Sequence, residues 1–81
     1  MNIVMRFKRG QMQFNVDGGT KTKPPAKAFK KCLAFASRHG FVLNAQTRNV
    51  EEKRWLLIFE PYEAHLFRKY MSTLGGKEVV I

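Results

Sequence analysis

The chain has 81 residues, 44% hydrophobic and 26% charged, with a formal net charge of +9. That length suits one small domain, residues 1–81, leaves too little core to spare for a deep substrate cavity, and has a globular rather than a disordered composition. The one cysteine, Cys32, rules out an internal disulfide, and no apolar run approaches the roughly 18 residues of a membrane span. Without an apolar N-terminal segment or an Asn-x-Ser/Thr site, the expected compartment is reducing and intracellular: the cytoplasm, with nucleoid or nucleus as variants.

Residues 3–16 alternate as a β-hairpin. A two-residue Arg9-Gly10 turn, with Gly10 at positive φ, places Phe7 opposite Met12, Met5 opposite Phe14 and Ile3 opposite Val16. All three apolar pairs then share one face, with Arg6 and Gln13 paired on the other. Residues 17–23 read as a flexible loop. Pro24-Pro25 opens a helix to about His39, with Gly40 as its C-terminal stop. Helical spacing puts Ala28, Phe29, Cys32, Leu33, Phe35 and Ala36 on one arc, and Lys27, Lys30, Lys31 and Arg38 opposite.

A second hairpin follows: residues 41–48, a turn at 49–52, then residues 53–60. Trp55 to Phe59 is apolar at every position, which predicts a central strand or one covered on both faces. Asn44, Gln46 and Arg48 fall on one side of the preceding strand. Pro61 is expected to open a second helix to about Leu74, burying Leu66, Phe67, Tyr70, Met71 and Leu74, with Gly75-Gly76 as its stop and Val79-Val80-Ile81 as a short last strand. The order ββαββα, with that possible last strand, predicts an α+β two-layer sandwich: an antiparallel sheet with both helices on one face.

The charge is unevenly distributed. Residues 1–50 hold ten Lys or Arg against one acid, Asp17, whereas residues 51–81 hold five basic against five acidic residues. Lys21, Lys23, Lys27, Lys30 and Lys31 are five cations in eleven residues, spanning a Gly-containing loop and a helix start. Helix N-termini and lysines both favour phosphate. A face built only for solubility would usually mix signs, yet no acid lies between Asp17 and Glu51. The other polar surface is the hairpin face: Arg6, Lys8, Gln11, Gln13 and Asn15, with Asn44, Gln46 and Arg48 from the second hairpin and Arg54 nearby; Arg6, Lys8 and Arg9 at the hairpin end would also meet phosphates. Arg, Gln and Asn pair with base edges, and a two-stranded ribbon fits a major groove.

Other chemistries fail on their residues. Gly18-Gly19-Thr20-Lys21-Thr22 lacks the glycine that a Walker A loop places directly before its Lys. Arg9-Gly10 begins like an RNA-recognition RNP1 segment, but Gln11 and Gln13 stand where stacking aromatics belong. Trp55 and Cys32 read as core. Cys32, His39 and His65 have no metal-ligand spacing, and two histidines with one aspartate give no Ser-His-Asp set. Glu60 and Glu63 read as helix-start charges. No catalysis and no cofactor are expected. The preferred reading is a small basic nucleic-acid-binding protein, for DNA or RNA, with no membrane partner. The alternative is a protein-binding inhibitor or adaptor, of the kind a mobile element encodes, that sets the same basic surface against an acidic protein patch.

Overall fold

The computed structural model describes residues 3–74 and 79–80. Its elements are β1 (Ile3–Lys8), β2 (Gln11–Asp17), α1 (Ala26–Arg38), β3 (Phe41–Asn49), β4 (Arg54–Pro61), α2 (Ala64–Leu74) and β5 (Val79–Val80). The sheet order is β3-β4-β2-β1-β5, and every neighbouring pair is antiparallel. β2 and β3 both run against β4, so α1 is a crossover between parallel strands with β4 inserted between them. The predicted two-layer arrangement is the one the chain adopts.

The first hairpin takes the register expected from its alternation: Ile3↔Val16, Met5↔Phe14, Arg6↔Gln13 and Phe7↔Met12. Both turn residues have positive φ, Arg9 at 52° and Gly10 at 78°, as a type I′ turn requires. One face of the sheet carries Ile3, Met5, Phe7, Met12, Phe14, Val16, Phe41, Trp55, Leu57 and Phe59, all buried. α1 covers it with Ala28, Phe29, Cys32 and Ala36. Phe29 meets Trp55 edge-on at 5.8 Å, and Phe35 meets Phe14 at 6.0 Å. From α2, Phe67 meets Phe7 edge-on and Tyr70 stacks on it at 5.7 Å. Burial of this one face supplies the main stabilisation.

Several expectations are corrected. Leu33 is 41% exposed, not core. The buried arc of α1 centres on Cys32 and Ala36, and Leu33 lies about a quarter-turn off that centre. Met71 is exposed for a similar reason, leaving Leu66, Phe67 and Tyr70 as the half-buried stripe of α2. Pro61 closes β4 rather than opening α2, which begins at Ala64. The second turn is shifted one residue, to 50–53. β4 is central but covered on one face only: Trp55, Leu57 and Phe59 are buried, while Leu56 and Ile58 stay half-buried on the open face. The side chain of Leu74, the Gly75-Gly76 stop and Ile81 lie outside the described residues.

β3 also departs from simple alternation. A bulge at Leu43/Ala45 inserts Asn44 as an extra residue. Beyond it every side chain changes face. Asn44 and Ala45 therefore lie on the open side, whereas Gln46 pairs with Leu57 and Arg48 with Trp55, on the helix side.

Candidate nucleic-acid interface

The loop leaving β2 makes hydrogen bonds within itself and to the second hairpin. Gly18 and Gly19 take φ of 104° and 71°, and a Cβ at Gly19 would stand 2.7 Å from the Lys23 carbonyl oxygen. Thr20 N–H donates to the Lys23 carbonyl at 2.8 Å, and Lys23 N–H donates back to Thr20 Oγ1 at 3.0 Å. Trp55 Nε1–H donates to the Thr20 carbonyl at 3.1 Å, and Arg48 Nη1–H to the Gly18 carbonyl at 2.7 Å. The loop thus stands on the core through Trp55 and presents Lys21 and Lys23 to solvent.

α1 follows with Pro25 as N-cap, no side-chain cap and no acid in its first turn. Its N-terminal N–H groups carry the positive end of the helix dipole. Lys27 adds an exposed cation in the first turn, where a carboxylate would be favourable, Lys30 and Lys31 follow it in the second turn, and Arg38 ends the same outer side. Among the described residues, the ion pairs of Arg54 with Asp17 and Glu52, and of His65 with Glu63, involve none of these cations. The loop and outer face of α1 are therefore a local excess of positive potential.

The hairpin candidates lie elsewhere. Arg6, Lys8 and Gln13 project from the face opposite the helices, and Arg9 sits in the β1–β2 turn. α1 packs on the buried face of the sheet, so the open sheet face and the outer lysines of α1 look in opposite directions across two layers. The structure does not bring the eleven candidates into one surface. Lys21, Lys23, Lys27, Lys30 and Lys31 form one group, and Arg6, Lys8, Arg9 and Gln13 another. Arg54 is tied to Asp17 at 3.3 Å and Glu52 at 3.6 Å, which largely neutralises it. Arg48 lies over the Trp55 ring at 6.0 Å and holds the Gly18 carbonyl, so it braces the loop. Glu60 is not a helix charge either: Gln11 Nε2–H and Asn44 Nδ2–H donate to its Oε1 at 3.4 and 3.1 Å, across three strands of the open face.

Two features have no signal in the sequence. Tyr70 Oη and His39 Nδ1 are hydrogen-bonded to each other, with the His39 ring 4.6 Å from Phe35 and 4.9 Å from Tyr70. Burial, then the nearby Arg38 and Lys69 charges, hold His39 below its ordinary 6.5 and favour the neutral ring. The second is an open surface cavity at the far end of β2, β3 and β4, bordered by Val50 and Glu51 of the second turn. Finding it from sequence would need the register of three strands and the bulge together.

Cys32 is buried, and desolvation, partly offset by Lys31, pushes its thiol up to about 11. Among the described residues no three His, Cys, Asp or Glu side chains are placed to hold a metal ion, and no helix is long and apolar enough to cross a membrane. No family model, curated protein or solved structure matches the chain.

Proposed function

We propose that the protein is a nucleic-acid-binding module that takes phosphates on the loop and α1 surface. One observation carries this: Lys21, Lys23, Lys27, Lys30 and Lys31 are all exposed around an N-terminus of α1 that has neither a side-chain cap nor an acid. An ordinary solvated helix would stabilise that end with Asp or Glu. Polyanion binding relieves the repulsion among these cations and releases condensed counterions. The reading is therefore one of binding rather than turnover.

Salt titration of oligonucleotide binding tests the reading. Contact with about five phosphates gives a slope of log K against log[salt] of roughly −4 to −5 on duplex DNA, and less on single strands. Combined Lys27→Gln, Lys30→Gln and Lys31→Gln substitution flattens the slope by about two to three units and weakens all sequences alike. The fold survives, because all three side chains are exposed. If DNA and RNA binding are both absent near physiological salt, the reading fails, and an acidic protein surface becomes the partner to test against the same lysines.

A further inference from the structure

The open-face cavity has a volume of about 400 Å³ and is lined by Asn15, Thr47, Arg48, Asn49, Val50, Glu51 and Leu56. Its floor is a register row: Asn15 of β2 is opposite Leu56 of β4, which is opposite Thr47 of β3. Leu56 and the exposed Val50 supply apolar surface. Asn15, half-buried in a middle strand, makes no side-chain hydrogen bond among the described residues. Asn49 uses its Oδ1 to accept the Glu52 N–H at 3.0 Å, which leaves its amide N–H₂ to donate. Polar groups that fix orientation above apolar walls are the usual make-up of a small-molecule pocket of this size.

The surrounding charge narrows the occupant. Glu51 and Arg48 put one carboxylate and one guanidinium in the lining, so the walls carry no net charge and suit a neutral group. Cations gather outside at the same end of the sheet: exposed Lys53 in the β3–β4 turn, whose carbonyl accepts the Gly18 N–H at 3.5 Å, and Lys21 and Lys23 on the loop that Gly18 opens. A ligand with a neutral, flat, hydrogen-bonding part and an anionic backbone meets both demands.

We propose that this cavity receives one unpaired base of a single-stranded nucleic acid, whose phosphates pass over Lys53 and round the end of the sheet, where Gly18 meets Lys53, towards Lys21 and Lys23. The inference rests on the phosphate-binding reading and specifies the form of nucleic acid. A paired, stacked base shows only its groove edge and cannot enter a pocket, whereas an unpaired base offers its whole hydrogen-bonding edge. Asn15, Thr47 and the Asn49 amide meet that edge between Leu56 and Val50. The Glu51 carboxylate accepts from an exocyclic amine, so adenine and cytosine are preferred to thymine.

Fluorescence anisotropy with labelled strands of equal length tests this, comparing oligo-dA, oligo-dC, oligo-dT, an abasic strand and a duplex. Oligo-dA and oligo-dC are expected to bind about tenfold or more tighter than the abasic strand at one salt concentration. Asn15→Ala with Thr47→Val should bring them down towards the abasic level, while the salt slope stays as in wild type. Thr47→Val alone, at an exposed edge position, should lose part of the preference and guards against a folding defect in the double variant. Glu51→Gln should shrink the gap between oligo-dC and oligo-dT. Salt-sensitive binding that treats abasic, single and double strands alike overturns the base pocket and leaves the phosphate reading standing. Wild-type affinity in the double variant overturns the pocket too. Failure to bind any strand overturns both.

Discussion

Truncating Phe14 and Leu33 to alanine separately should give very different results. Phe14 is fully buried on a middle strand, with Phe59 edge-on at 5.5 Å and Phe35 at 6.0 Å. Phe14→Ala removes the ring's transfer free energy and leaves a void that β-sheet neighbours cannot collapse into, about 3–5 kcal/mol. A chain of 81 residues has a total stability of about 4–12 kcal/mol at typical values per residue. The variant therefore loses a large part of its stability. Leu33 is 41% exposed, so solvent replaces its missing methyls without a cavity, and Leu33→Ala costs about 1 kcal/mol or less. Urea unfolding followed by the fluorescence of Trp55, the one tryptophan, reads both. Equal losses for the two variants, or a wild-type midpoint for Phe14→Ala, would refute the assignment of faces.

Arg9 sits at φ 52° in a type I′ turn where asparagine is favoured, so Arg9→Asn should raise stability by about 0.5–1 kcal/mol in the same urea assay. Gly40→Ala should destabilise by about 1–2 kcal/mol or more, because φ is +81° and the new Cβ would lie 2.7 Å from Leu66 Cδ1. His39 is held below its ordinary value, so the unfolded chain binds its proton first. Its contribution is intact above pH 6.5 and is lost as pH falls through the lower folded value, a loss that pH-dependent unfolding of wild type and His39→Gln resolves. Cys32 titrates at about 11 rather than 9.0, so its contribution is present below pH 9 and lost as pH rises towards 11. Native protein should react with a thiol reagent only on unfolding.

The local chain carries its own record of the first hairpin. The Arg9-Gly10 turn and period-two alternation are short-range constraints, and a one-residue slip would move every apolar side chain to the wrong face. The same holds for α1, where Lys27, Lys30 and Lys31 are fixed on the outer side by helical spacing from Ala28, Cys32 and Ala36. Tertiary structure decided what depends on neighbours distant in sequence. The width of the buried arc on α1 depends on how the helix sits over the sheet, and that left Leu33 outside. The bulge at Asn44 moved Arg48 onto Trp55 and the Gly18 carbonyl. Whether Arg6 and Gln13 share a surface with the lysines of α1 depends on which sheet face the helices cover. They cover the face of Phe14, so the two polar groups lie on opposite sides. The cavity between Asn15, Thr47 and Leu56 exists only because three strands, two of them joined through α1, come into one register. Periodicity along one segment says which residues share a face, but which faces meet is set by packing free energy summed over the whole chain.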